Sequence, residues 1–394
     1  MRYKLILLLI LGVDVYVLLN EMSQLSITYY EAEILYNSYS LIHYISTLFI
    51  SLFGNNEIGL RFTGLFFHTL SVLLLYKISS KYSRNESDRV WLILIYVLLP
   101  GVNSAAILLD SSSLVIFLLL LFAYVAIFKK RYISLLMLVY IFMDESFIWL
   151  YLSLVIYFLV NRRVMYSIFS FLLFISMYYI YGVDFGGSPR GYVLDELGIY
   201  GAIFSPIIFI YIIYSLYRYF VLKKLDILWY LSLIPFIISI ILSFRQRVEL
   251  QLFAPYMMLA LPITMQMFFH SYRVRLKMYR YRYRVIFILA FALLVINIVA
   301  VFVNERLYAY LDDPKKHFAY RSHVAKELAK ELKKRDIECV DANDYKMQLR
   351  LKFYAIEKCN KYRLSDIESD DSEKVTISYI DSDVFSTYVS KIHK

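Results

Sequence analysis

Long apolar runs alternate with short polar connections over the first three quarters of the chain. They lie at about 4–20, 60–78, 90–108, 112–128, 132–143, 147–161, 164–182, 202–220, 226–243, 251–270 and 285–303. A run of roughly 20 apolar residues matches the hydrocarbon thickness of a bilayer, so the pattern predicts about 11 transmembrane helices. Beyond Arg321 the periodicity changes. Val324, Leu328 and Leu332 recur every fourth position among Lys and Glu, as on an amphipathic helix. Residues 337–341 and 375–380 read as short strands by their β-branched content, and 347–356 as a second helix. The expected fold is a polytopic α-helical membrane protein over residues 1–304, followed by a small extracytoplasmic α/β domain over 305–394.

Composition supports this division. Apolar residues make up 60% of the chain, against about 45–50% in soluble domains, which excludes an ordinary globular, disordered or disulfide-rich secreted protein. The net charge of +10 is unevenly placed. Residues 304–394 are nearly neutral, so the excess lies among the apolar runs. Taking alternate connections, one side collects nearly all the basic residues, and the other keeps only Arg61, Arg190, Arg245 and Arg247. The positive-inside rule then places the N-terminus in the cytoplasm and the tail outside. A bacterial inner membrane is the expected setting. Since topology accounts for the positive charge, nucleic acid is not an expected partner. The MRYK start reads as the flank of an uncleaved first span. Cys339 and Cys359 both lie in the outward tail and form either a disulfide or two buried thiols; neither has zinc-ligand spacing.

Most carboxylates before Asn304 fall on the outward side, which the positive-inside rule does not require. An acid-rich face suits general-base chemistry or divalent-metal binding, with a solvated rim as the plainer alternative. Glu31 and Glu33 stand in the first outward loop, in Tyr29-Tyr30-Glu31-Ala32-Glu33. Two positions apart on a helix they do not share a face, so at most one points at a reacting group. Asp110 closes the third run, just before Ser111, Ser112 and Ser113, where it is either functional or a helix cap. Asp144 and Glu145 form another short outward turn. Asp14 lies within the first run and needs an interior partner. Arg245 and Arg247 present planar forks that match phosphate oxygens at headgroup depth. Arg190 sits in a long loop that could cover a site.

The segment Leu52-Phe53-Gly54-Asn55-Asn56-Glu57-Ile58-Gly59-Leu60-Arg61-Phe62 follows the acidic YYEAEILY stretch and enters the second run. With Asp110 at the end of the third run, and Arg247 ahead of Pro255-Tyr256, this order resembles the GT-C glycosyltransferases of the protein O-mannosyltransferase and lipid A aminoarabinose transferase type. The resemblance covers mainly residues 25–125. It departs from the family at Tyr30, where an Asp is common, and in lacking the prolines that usually follow. It implies inverting transfer of a sugar from a polyprenyl-phosphate donor to a glycolipid, glycan or protein acceptor at the outer face of the membrane. It also implies roles. Glu31 or Glu33 would be the base and Asp110 would orient the acceptor or the base. Arg245 and Arg247 would hold the donor phosphate, with Arg61 assisting. Asp144, Glu145 and Arg190 are secondary candidates. A divalent metal is compatible with these acids, and no other cofactor is expected. The competing expectations are a transporter or flippase of lipid-linked sugars, and an O-antigen polymerase or ligase.

Overall fold

A computed structural model of the chain describes residues 2–182, 186, 191–310, 313–317, 319–365, 367–368, 372–379 and 382–392. It is mostly helical, with a small C-terminal sheet. Each of the eleven apolar runs carries helix. Among the described residues, five helices are long and apolar enough to cross a membrane. They are α1 (Arg2–Gln24), α4 (Glu57–Tyr82), Val164–Tyr181, Leu250–Val274 and Lys277–Phe302. Two bent pairs raise the number to seven if each is one span. Glu86–Val97 meets Pro100–Ile107 at 61°, and Val193–Phe204 meets Pro206–Val221 at 103°. In both pairs the second arm opens on proline, which lacks the N–H needed to continue the first helix and fits the first turn of a new one.

The remaining runs give shorter helices. Ser112–Phe128 and Ile227–Ser243 have 17 residues, Phe147–Val160 has 14 and Ile133–Tyr140 has 8. At ~1.5 Å per residue even 17 residues reach only roughly 26 Å. Apart from 112–128, these runs are longer than the helices they form, because their ends go into turns.

The chain divides into two compact units. The first comprises Met1–Tyr16, Gly64–Ala106 and Ser111–Ile298; the second comprises Val17–Thr63, Ile107–Asp110 and Val299–Lys394. In the first unit, connections that the charge pattern assigns to one side meet one another. Arg273 Nη2 donates to Asp88 Oδ2 at 2.6 Å, and the Tyr82 hydroxyl donates to Asp226 at 2.5 Å. Connections assigned to the opposite side meet as well. Tyr192 N donates to Ser243 O at 2.9 Å, and the buried Tyr256 hydroxyl donates to Ser146 O at 2.8 Å. Gly64 passes so close to the helix Pro100–Ile107 that a Cβ there would lie 2.5 Å from Ala106 O.

The second unit takes in the end of α1 from Val17, then α2 (Tyr29–Asn37) and α3 (Leu41–Phe53). Its sheet contains β1 (Asp341–Ala342), β2 (Tyr362–Ser365), β3 (Ser372–Tyr379) and β4 (Ser382–Lys391), in the order β1-β2-β4-β3. β1 and β2 are parallel and the other pairings antiparallel. Ala325–Lys334 is the expected amphipathic helix, burying Leu328 and Leu332; Tyr345–Phe353 is the expected second one. Of the two expected strands, 375–379 lies in β3, with residue 380 outside the described residues, whereas 337–341 is reduced to β1 and a bridge between Cys339 and Glu357. β2 and β4 escaped the sequence pattern. A register shift between Ile377 and Ser378 turns Val384, Thr387 and Val389 inward, which breaks the strict alternation that marks a strand. Cys339 and Cys359 are joined as a disulfide, which settles the alternative left open above. Nor is 305–394 a self-contained body. Arg350 Nε donates to Ile27 O at 2.8 Å, and Ser26 N donates to Ser322 O at 2.9 Å.

Candidate functional site

The first-loop acids lie on α2. Thr28 and Glu31 form a capping box: Glu31 N donates to Thr28 Oγ1 at 3.2 Å and Thr28 N donates to Glu31 Oε2 at 2.8 Å. The same carboxylate takes Arg61 Nε at 2.8 Å, Arg61 Nη2 at 2.9 Å and Leu109 N at 3.0 Å. Each oxygen of Glu31 thus accepts two hydrogen bonds, which fills the capacity of a carboxylate. Arg61 is equally committed. Its remaining N–H groups go to Met22 O at 3.1 Å, Leu25 O at 2.8 Å and Ser26 O at 2.8 Å. All five guanidinium donors are used, and both side chains are essentially inaccessible to solvent (0% and 1%).

This geometry changes the roles expected from the sequence. Burial by itself would raise the Glu31 carboxyl. The Arg61 charge, its hydrogen bonds and the amides of Thr28 and Leu109 outweigh burial and hold it below the usual carboxylate range. A carboxylate so held is a weak base with no lone pair open to an acceptor hydroxyl. Arg61 has no N–H left for a phosphate. Glu31 as base and Arg61 as phosphate ligand are therefore both replaced by a structural role: the pair ties the first loop to the end of the third run. The peptide it grips, Leu109, is next to Asp110, whose side chain is half-buried. Glu33 is partly exposed and bonds to the Tyr29 hydroxyl.

The other candidates lie in the first unit. Asp144 Oδ1 accepts from Ser146 N at 2.9 Å and so closes its own turn. Glu145 is exposed. Partial burial, followed by the neighbouring charges of Asp144 and Glu249, pushes its carboxyl up. Glu249 belongs to the segment that also carries Arg245 and Arg247. Both arginines are exposed, and the Arg247 guanidinium lies 5.6 Å from the Tyr192 ring centroid. Arg190 lies outside the described residues. Among the described residues, no group of three or more His, Cys, Asp or Glu side chains is placed to hold a metal ion.

Three residues escaped the sequence reading. His68 is the interior partner of Asp14, with Nε2 and Oδ2 2.7 Å apart, and its ring stacks on Tyr96. An acid within an apolar run signals that a partner must exist but does not say which residue it is. Arg350, 8% exposed, donates to Ile27 O, to the Ser26 hydroxyl and, at 2.5 Å, to His323 O. His323 is buried among Tyr308, His317 and Tyr379. Burial, then His317 and Arg350, lower it to about 4. Nothing local in the sequence distinguishes Arg350 or His323 from their solvated neighbours. No protein-family model matches the chain, and no curated protein matches it.

Proposed function

We propose that the protein transfers a sugar, with inversion, from a polyprenyl-phosphate donor to an acceptor hydroxyl at the outer face of a bacterial cytoplasmic membrane, which it spans about 11 times. The observation that carries this reading is the exposed Glu145, whose carboxyl is pushed up by burial and then by the charges of Asp144 and Glu249; Glu249 belongs to the segment that also bears the exposed Arg245 and Arg247. Glu145 takes the acceptor proton. The acceptor oxygen forms its bond to the anomeric carbon as the bond from that carbon to the phosphate oxygen breaks. The polyprenyl phosphate leaves with the electron pair, its charge matched by Arg245 and Arg247. Of the candidate acids, the Glu145 carboxyl is pushed up and open to solvent, whereas Glu31 is lowered and sealed. The pairing of like-sided connections in the first unit, Asp88 with Arg273 and Tyr256 with Ser146, supports the topology this requires.

The test is polyprenyl-phosphate release, followed by mass spectrometry, from a panel of polyprenyl-phosphate sugars added to the protein in lipid nanodiscs. Glu145→Gln is expected to lower release from one donor by about 10²–10⁴-fold, the usual worth of a general base. Wild-type release by Glu145→Gln, with loss in Asp110→Asn, would move the base to Asp110. No release from any donor would remove the transferase reading.

A transporter is the second reading, favoured by the Asp14–His68 pair within two of the apolar helices. Asp14→Asn would then abolish flux of a lipid-linked sugar while leaving release chemistry untouched.

A further inference from the structure

The second unit contains a cleft that the proposed transfer does not use. The helix Ala325–Lys334 buries Leu328 and Leu332 on one side and carries Lys326, Lys330 and Lys333 along the other, at i, i+4 and i+7. These lysines, with Asn55, Glu57 and Tyr354, line a cleft of about 160 Å³.

The charges are unequally committed. Lys326 Nζ is held by Glu57 Oε1 at 2.9 Å and Ser23 O at 2.7 Å. Among the described residues Lys330 forms one ion pair, with Glu327 on its own helix, at 2.7 Å and largely in solvent, and such pairs are worth about 0–1 kcal/mol. Lys333 has no carboxylate within 4.0 Å among the described residues. Two ammonium groups therefore border the cleft with no firm counter-charge. Polar groups complete its wall. Asn55 is exposed and uses one amide hydrogen on Phe353 O. The Tyr354 oxygen accepts from Ile27 N at 3.0 Å, a bond that does not use its own proton.

Size narrows the ligand. At ~30 Å³ per water, the cleft holds about five waters' worth of volume. That accommodates a phosphate or a single sugar ring. It is well under the ~300 Å³ at which drug-sized ligands begin, too small to enclose an acyl chain, and Ala329 and Phe353 add apolar surface to its wall. Ammonium groups match phosphate as point charges, while amide and phenol groups match hydroxyls. We infer that this cleft is a binding site for a phosphorylated monosaccharide, carried either on a soluble glycan or on a lipid headgroup. The inference does not depend on the transferase reading, because binding and transfer are measured separately.

The experiment is isothermal titration calorimetry of the full chain in phosphatidylcholine nanodiscs at low salt, with glucose 1-phosphate, inorganic phosphate and glucose as probes. Glucose 1-phosphate is expected to bind saturably and more tightly than either of the others. Lys330→Glu with Lys333→Glu is expected to weaken it by at least about tenfold. Lys346→Glu, on another helix of the same unit, is expected to leave it unchanged. Circular dichroism establishes that each variant is folded, and Lys330→Gln with Lys333→Gln repeats the test if the charge reversal unfolds the unit. Absence of saturable binding, or equal binding by the folded lysine variants, overturns the site. Equal affinity for inorganic phosphate overturns the saccharide. Displacement of glucose 1-phosphate by a polyprenyl-phosphate glucose incorporated in the discs assigns the lipid source, and its failure assigns the soluble one.

Discussion

At the scale of single residues, the decisive feature is how completely Glu31 and Arg61 satisfy each other. Replacing one member of a buried ion pair leaves the other's charge uncompensated, at a cost of about 3–5 kcal/mol. Glu31→Gln is therefore expected to lower the thermal midpoint in nanodiscs by several degrees, whereas Glu33→Gln, partly exposed, leaves it nearly unchanged. Equal midpoints for the two variants would show that the pair is not the brace described. His323 gives the second unit a pH dependence. The histidine is near 6.5 in an unfolded chain and about 4 when folded. Between those values the unfolded state binds more protons, so stability falls as the pH drops from about 6.5 to about 4 and is constant with respect to this group above that window. The charges facing it are Arg350 and, on protonation, His317; Tyr308 and Tyr379 are neutral there. His323→Phe is expected to remove most of the difference between melting at pH 7 and pH 4.5. An unchanged difference would assign the effect to carboxylates elsewhere.

At the scale of elements, helices were legible and their ends were not. Every apolar run became helical because burial of apolar side chains and backbone hydrogen bonding favour the same local structure. The breaks at Pro100 and Pro206 are legible in retrospect, yet a proline within an apolar stretch bends a helix or ends it depending on what packs nearby. Gly64 shows the reverse dependence. Its place in α4 gives no hint that Ala106 O would lie 2.5 Å from an added Cβ. Gly64→Ala must shift backbone against backbone and is expected to cost about 1–3 kcal/mol by thermal or denaturant unfolding. A loss below about 0.5 kcal/mol would mean that the two helices sit further apart. The strands divide in the same way. β3 announced itself through Val375 and Ile377, while β4 hid behind a register shift that only pairing reveals.

At the scale of the whole molecule, the sequence determined the broad plan. A long apolar helical part and a small α/β tail follow from composition and periodicity, which are local and additive along the chain. The charge alternation likewise grouped the connections that meet as Asp88 with Arg273. The tertiary structure decided which candidate residues are open and which are consumed. Glu31 finds its donors 30 and 78 positions away, in Arg61 and Leu109, and Arg350 reaches back 323 positions to Ile27. The same separation made the tail part of a unit with residues 17–63 rather than a domain of its own. Hydrogen-bond saturation is set by groups that only folding brings within 3 Å, so an acidic residue reads identically in sequence whether it is sealed like Glu31 or exposed like Glu145.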